Sequence, residues 1–326
     1  MKAVVYDHYG PPEVLRLAEV DKPTPKHDEL LVKVQASTVN RLDCHTREAN
    51  RSNGPLISLA SRLVSGPRRP RQPILGSEFA GVVEATGPAV TEFKAGDRVF
   101  GNTGLALGCH AEYICLRAGA RVARMAGNAS FEEAATVTDG AYNALWCLRQ
   151  AETGPGTRLL VYGASGAIGT AAVQLARHFG ADVTAVCSTK NLDLMKSLGA
   201  DRVIDYTRED FTKNGETYDV IFDAVGKHSF VRCRDSLKRG GCYLPTDGLS
   251  NLWWALWTAG FENRKVKFRL PPRYLRDDLA LMRELMEAGK YRAVIDRRYP
   301  MEDVVEAARY VETQQKTGNV VLAVSP

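Results

Sequence analysis

Leu159-Leu160-Val161-Tyr162-Gly163-Ala164-Ser165-Gly166-Ala167-Ile168-Gly169-Thr170 decides how this chain is read. An apolar run ends in a glycine-rich turn, and the turn passes directly into a helical pattern. Strand, turn and helix in that order are what the first unit of a dinucleotide-binding fold requires. Gly166 lets the backbone approach a pyrophosphate, and Gly169 lets the helix pack closely on the sheet. Past the turn, Ile168, Ala172, Leu175, Ala176 and Phe179 fall on one helical face. Ala164, Ser165, Gly166, Ala167 and Ile168 are therefore expected to line a phosphate. The glycines alone would also suit an ordinary strand–turn–helix without a ligand. The strand before them and the helix after them carry the ligand reading.

Strands and helices alternate beyond this unit. Val183–Val186 reads as a strand, Leu192–Leu198 as a helix and Arg202–Ile204 as a strand, with further strands at Asp219–Phe222 and Cys242–Leu244. Such alternation means βαβ crossovers and a parallel sheet covered on both faces. Before it, the first 120 or so residues read as strands and turns, including Leu30–Val34, Ala80–Ala85 and Arg98–Phe100. Helical composition begins at Phe131–Thr136 and Ala141–Gln150. After Pro271-Pro272 come a helix over Arg276–Ala288, a strand at Val294-Ile295, a helix over Met301–Thr313 and a last strand over Val320–Val324. With no second glycine-rich unit there, the chain is expected to leave the nucleotide domain and return to the first module.

The 326 residues carry a net charge of +5, 44% hydrophobic and 25% charged residues, ordinary values for a globular protein with room for two domains. The densest basic run, Pro67-Arg68-Arg69-Pro70-Arg71, is short, interrupted by proline and without neighbouring aromatics, so it reads as a solvated loop and no nucleic acid is expected. Met1–Tyr6 resembles a strand and lacks the apolar core of a signal peptide. The longest apolar stretch, Leu249–Phe261, is too short to span a bilayer. Seven cysteines without a CxxC pair suit a reducing compartment, and a cytoplasmic setting is expected.

A dinucleotide site needs a group at the end of its second strand to read the adenosine ribose. An Asp or Glu about 20 residues past the glycine turn binds both hydroxyls and repels a 2′-phosphate. The position 19 residues beyond Gly169 is Ser188, in the run Val186-Cys187-Ser188-Thr189-Lys190, which holds no carboxylate. Two hydroxyls and an ammonium suit a phosphate, so NADPH is expected over NADH. Ser188 and Thr189 would equally well cap the following helix.

The chain resembles the zinc-independent, quinone oxidoreductase-like branch of the medium-chain dehydrogenase/reductase superfamily, and does so from end to end. Tyr9-Gly10-Pro11-Pro12-Glu13-Val14-Leu15, Leu75-Gly76-Ser77-Glu78-Phe79-Ala80-Gly81-Val82-Val83, Phe93-Lys94-Ala95-Gly96-Asp97-Arg98-Val99 and Gly318-Asn319-Val320-Val321 carry the likeness. Ala111-Glu112-Tyr113, Leu198-Gly199-Ala200-Asp201 and Ile204-Asp205-Tyr206 add to it. The resemblance implies an α/β protein with a Rossmann doubly wound parallel sheet (residues 123–270) and a GroES-like, mostly β catalytic domain (residues 1–122, completed by 271–326). Cofactor and substrate would lie between the two. Zinc-dependent relatives carry a cysteine where this chain has Asn40 and a histidine where it has Ser77, and their cysteine-rich structural lobe is missing, so no metal is expected. Cys44-His45 and Cys109-His110 are poor ligand pairs, because neighbours on a strand point to opposite faces.

The resemblance implies NADPH-dependent hydride transfer to a quinone or an α,β-unsaturated carbonyl, acceptors that delocalise the developing charge. The alternatives are a 2-alkenal or 2-enoyl reductase on the same fold and a non-enzymatic NADPH-sensing protein. No residue stands out as a catalytic acid. Asn40 either donates to a carbonyl oxygen or ties its loop together, and Asp43 reads as structural. Thr138 contacts the nicotinamide or caps a helix. The family places Tyr206 against the adenosine; from their places after successive strands, Val225 and Gly226 are expected to wall the nicotinamide ribose, and Leu244 and Thr246 to reach the carboxamide. Asn319, in the last strand motif, is added to the cofactor set. Arg47–Gln72 has no counterpart in the shortest relatives. Its stripe of Leu56, Ile57, Leu59, Leu63 and Val64 makes it a lid or a packed surface helix. Trp253-Trp254-Ala255-Leu256-Trp257 lines the substrate pocket or, as the family suggests, a homodimer interface.

Overall fold

Eleven residues, Glu29–Val39, form the longest strand, more than twice the apolar run that signals it in the sequence. The structure, a computed structural model, describes residues 1–51, 54–248, 250–261, 263–268 and 275–325, without the side chains of Leu56, Val64 and Phe261. Leu249 and Pro271-Pro272 lie outside the described residues. The chain divides into two compact units, Met1–Asp139 with Leu275–Pro326, and Gly140–Tyr274.

In chain order, the first unit contains β1 (Lys2–Val5), β2 (Arg16–Glu19), β3 (Glu29–Val39), α1 (Arg41–Arg47), α2 (Pro55–Ser65), β4 (Glu78–Thr86), β5 (Arg98–Asn102), β6 (Tyr113–Arg117), β7 (Val122–Arg124) and α3 (Phe131–Ala135). The second holds α4 (Asp139–Gln150), β8 (Arg158–Tyr162), α5 (Ala167–His178), β9 (Asp182–Cys187), α6 (Leu192–Ser197), β10 (Arg202–Asp205), β11 (Tyr218–Asp223), α7 (Phe230–Cys233), β12 (Leu237–Pro245), α8 (Ser250–Phe261) and β13 (Lys265–Val266). The chain returns to the first unit as α9 (Asp277–Glu287), β14 (Ile295–Pro300), α10 (Val304–Glu312) and β15 (Asn319–Ala323).

The first unit is built on a seven-stranded sheet of order β14-β15-β3-β4-β5-β7, with β6 also on β3. β15 pairs antiparallel with β3, Val320 opposite Val39, so the C-terminal segment completes the N-terminal module. Strand β3 is buried along most of its length, with Lys33 its one exposed residue. Its polar end survives burial because Ser37 donates to the Glu78 carbonyl at 2.7 Å and Thr38 to the Glu78 carboxylate. Val4, Leu30, Val32, Phe79, Val304 and Leu322 belong to one core. Fully buried Arg47 joins the two chain segments by donating to the Gly10 carbonyl at 3.0 Å and pairing with Glu312. The unit runs to Asp139, past the break expected at residue 122. The intervening residues are anchored within it: Asn128 donates to the Met286 carbonyl at 3.1 Å, Glu132 pairs with Arg298, and Thr138 and Asp139 donate to Glu78.

The second unit is a six-stranded, all-parallel sheet of order β10-β9-β8-β11-β12-β13. Taken in chain sequence this is 3-2-1-4-5-6, the doubly wound order whose direction reverses between β8 and β11. Helix α5 is buried continuously from Gly169 to Ala176, wider than the single stripe expected, while Ile168 and Phe179 at its ends are half-buried. Small residues such as Ala171, Ala172 and Ala176 allow that close packing. Helix α8 instead leaves Leu252, Trp253, Leu256 and Trp257 exposed, while Trp254 packs on Phe230. In α2, Leu59 and Leu63 are also exposed, while Ile57 is half-buried.

Candidate functional site

In the nucleotide unit, β8 ends at Tyr162 and the turn begins with Gly163 at φ +72°, a conformation that glycine adopts without strain. A Cβ there would also lie 2.5 Å from Val225, so β8 and β11 end too close together for a larger residue. A Cβ on Gly169 would lie 2.3 Å from the Gly163 carbonyl and 2.6 Å from Ala164 Cα, so helix and turn are in backbone contact. Gly166 differs: its Cβ would meet only the Gly163 carbonyl, at 3.7 Å. The space beside it is open, and it caps α5 with no side-chain hydrogen bond. The first amides of a helix have no intrahelical acceptor, and their dipole favours an anion. Ala164–Ile168 thus form a cradle that fits a dinucleotide pyrophosphate.

At the ribose end the structure adds a group. β9 and β10 finish side by side, with Asp205 opposite Cys187 and the Tyr206 amide donating to the Cys187 carbonyl at 3.1 Å. The Asp205 carboxylate accepts Thr189 Oγ1 at 2.6 Å and Thr207 Oγ1 at 2.7 Å, and Arg208 lies 3.7 Å away. These hydroxyls hold Asp205 below the usual carboxylate range. A carboxylate is therefore present after all, contributed by the neighbouring strand, and it takes the Thr189 proton expected to face a phosphate. Ser188 accepts from Asn191 at 3.3 Å, which leaves its own O–H to donate. Lys190, Tyr206 and Arg208 are exposed around the same strand ends.

Val225 is exposed just beyond β11, while Leu244 is fully buried and Thr246 donates to the Asp223 carbonyl at 3.1 Å. Asp223, unmentioned in the sequence reading, organises this end. Its carboxylate accepts the amides of Val225 and His228 and the Tyr243 hydroxyl at 3.0 Å, which fixes the path of the loop after β11.

In the first unit, the organising group is Glu78. It is 1% exposed, and its carboxylate accepts from Thr38 Oγ1, from Thr138 Oγ1 at 2.5 Å, from the Asp139 amide at 2.6 Å and from Asn40 Nδ2 at 3.4 Å. Asn40 caps α1 in a reciprocal box with Asp43: its Oδ1 accepts the Asp43 amide at 3.2 Å, and its own amide donates back at 2.9 Å. Its Nδ2 also donates to Ser77 Oγ at 3.1 Å. Both side-chain atoms of Asn40 are thus engaged within the protein, the Oδ1 by the Asp43 amide and the Nδ2 by Ser77 and Glu78. The Thr138 hydroxyl donates to the same Glu78 carboxylate. Asn319 donates from backbone and side chain to the Val294 carbonyl, at 2.8 and 3.2 Å. Asp43 is structural, accepting the Gly76 amide at 2.9 Å, and burial pushes its carboxyl up.

Zinc is not suited by this donor set. Asn40 and Ser77 satisfy one another, and Glu78 is already surrounded by donors. His110 is turned to the Thr38 carbonyl at 2.8 Å, and burial pushes the Cys109 thiol up. Among the described residues no group of three metal-binding side chains converges.

Comparison with known proteins agrees with both sheets. Residues 26–153 match the family of alcohol dehydrogenase GroES-like domains, and residues 198–322 the family described as zinc-binding dehydrogenase. A chloroplastic NADPH-dependent alkenal/one oxidoreductase of Arabidopsis thaliana is 33% identical over 99% of this chain and 79% of its own. A 2-methylene-furan-3-one reductase of Solanum lycopersicum is also 33% identical, with the same coverage of both chains. Among solved structures, a quinone oxidoreductase from Coxiella burnetii superposes with a TM-score of 0.88 at 29% identity, covering 100% of this chain and 99% of that one. The chain belongs to the quinone-oxidoreductase-like branch of the medium-chain dehydrogenase/reductase superfamily.

Proposed function

We propose that this protein is an NADPH-dependent reductase of quinones or α,β-unsaturated carbonyl compounds that works without zinc. The observation that carries the reading is the Gly163–Gly169 cradle in a chain one-third identical, over almost its whole length, to an NADPH-dependent alkenal/one oxidoreductase. When bound, NADPH supplies a hydride to the acceptor. The chain's part is to hold the pyrophosphate on α5, to read the 2′-phosphate with Ser188, Lys190 and Arg208, and to order the loops beyond β11 and β12 through Asp223. Enones are favoured over quinones as acceptors, because both relatives at 33% identity are named for alkenal, enone or furanone reduction. Exposed Leu252, Trp253, Leu256 and Trp257 on α8 give a second copy an apolar surface, and we read the protein as a homodimer in the cytoplasm. Among the described residues no helix is long and apolar enough to cross a membrane.

The test is NADPH oxidation with an alkenal, an alkenone, 1,4-naphthoquinone, phenanthrenequinone and a control secondary alcohol with NADP+. Tight NADPH binding without turnover of any acceptor would move the reading to a cofactor sensor. Full activity is expected after exhaustive dialysis against a chelator, whereas a loss that added zinc restores would contradict the zinc-free assignment. Lys190→Glu is expected to raise KM for NADPH about 10- to 100-fold, the worth of a charge-assisted hydrogen bond, and to leave KM for NADH little changed. Equal effects on both cofactors would remove Lys190 from phosphate recognition.

A further inference from the structure

Helix α2 turns its leucines to solvent and its serines to the protein. Pro55 opens it, and Gly54 and Gly66, at φ +97° and +126°, bound its eleven residues. The side packed on the first unit is mostly polar. Ser61 accepts from Asn50 Nδ2 at 2.8 Å, the Arg62 guanidinium lies 5.2 Å from the centre of the Tyr9 ring, and Ser58 and Ser65 are half-buried. Tyr9, itself buried, fixes the end of the helix by donating to the Gly66 carbonyl at 2.8 Å. Residues 58, 61, 62 and 65 share one face at the helical repeat. Leu59 and Leu63, one turn apart on the opposite face, are 58% and 64% exposed. A surface helix normally buries its leucines and offers its serines and arginines to water. This one does the reverse, so packing within the unit does not account for Leu59 and Leu63.

Charge decides what the leucines meet. From Arg47 to Gln72 the chain has six arginines and one acidic residue, Glu48. Arg51 precedes the helix, and Arg68, Arg69 and Arg71 follow it, all four exposed. The basic turn is folded back on the helix. The Arg71 amide donates to the Ser65 carbonyl at 2.8 Å, and a Cβ on Gly66 would lie 2.0 Å from the Arg69 carbonyl. The arginines are therefore held at the end of the helix that carries Leu63. Just after them, Gln72 donates to the Ala106 carbonyl at 3.1 Å, which ties in a short turn whose Leu105 is 79% exposed. Apolar side chains flanked by guanidinium groups suit a surface that is apolar within and anionic outside. A second copy of the same face would set arginine against arginine. A fluid bilayer takes the leucines at its acyl boundary and the guanidinium groups at its phosphates, and it needs no groove matched to the helix.

We propose that α2 and the arginine turn after it dock the protein on the surface of an anionic phospholipid bilayer, with Leu59 and Leu63 at the boundary between headgroups and acyl chains. The attachment is peripheral, because eleven helical residues rise about 16 Å, roughly half of a bilayer core. The proposal goes beyond the reductase reading and stands without it, since vesicle binding is read with no cofactor and no acceptor. Together the two bring a reductase to the phase in which apolar quinones and long-chain enones dissolve.

Sedimentation of the full-length protein with vesicles tests this, comparing phosphatidylcholine alone with an equimolar mixture of phosphatidylcholine and phosphatidylglycerol. The mixed vesicles should carry the protein down, the neutral ones should not, and salt should weaken the binding. Arg68→Gln with Arg69→Gln should lower the partition coefficient about 25-fold, since each arginine at an anionic surface contributes about fivefold. Leu59→Ser with Leu63→Ser should lower it about tenfold or more, as leucine side chains return to water. All four side chains are exposed, so both variants should melt like wild type. Should the serine variant melt lower, Leu59→Ala with Leu63→Ala carries the same test with helix propensity preserved. Absence of binding to the mixed vesicles overturns the proposal. So does binding that the leucine variants keep in full, which leaves only a charge attraction. A leucine variant that loses a dimer in ultracentrifugation and keeps its vesicle binding assigns the face to a second copy instead.

Discussion

Gly169→Val is expected to abolish NADPH binding and to lower the stability of the protein. The added Cβ would begin 2.3 Å from the Gly163 carbonyl and 2.6 Å from Ala164 Cα, and both obstacles are backbone. A flexible side chain could swing away, but this turn cannot move without pulling β8 and α5 apart. Overpacking of this kind costs about 1–3 kcal/mol, and the branched methyls of valine place the variant at the upper end. The shift that relieves the clash also opens the cradle, so affinity falls with stability. Gly166→Ala separates the two effects. Its Cβ has room, meeting only the Gly163 carbonyl at 3.7 Å, so the variant should melt like wild type. That same methyl would occupy the space assigned to the pyrophosphate, so NADPH should bind far more weakly. Thermal melts with and without NADPH, together with a fluorescence titration, check both outcomes. Wild-type affinity in Gly166→Ala would mean that the open space beside Gly166 is not where the phosphates sit.

The parts of the fold that were legible in the sequence are those with a local cause. The apolar run at Leu159–Val161, the glycines after it and the alternation beyond it specify a parallel sheet, and the structure has one in 3-2-1-4-5-6 order. Features that depend on partners far along the chain were not legible. The strand read at Leu30–Val34 runs on to Val39, where Glu78, about forty residues on, supplies acceptors for Ser37 and Thr38. Asp205 was quoted only as part of a motif. Its position beside Thr189 follows from the register of β9 and β10, which no local pattern encodes. Asn40 and Thr138, singled out in the sequence for a ligand or a cap, both donate to Glu78, a contact that follows only from the packing.

Glu78→Ala should destabilise the protein more than any other single change in the first unit. The substitution removes the acceptor for the Thr38 and Thr138 hydroxyls, which are 1% and 0% exposed, and for the Asp139 amide. Each buried donor left unsatisfied costs about 1–3 kcal/mol, and breaking a buried charged network costs about 3–5 kcal/mol in all. The loss should appear as a lower midpoint of urea unfolding, and wild-type stability would refute the central place given to this carboxylate. Glu78→Gln is the finer instrument. Its amide oxygen still accepts on one side, but its NH2 sets a donor against donors on the other, so part of the stability should return.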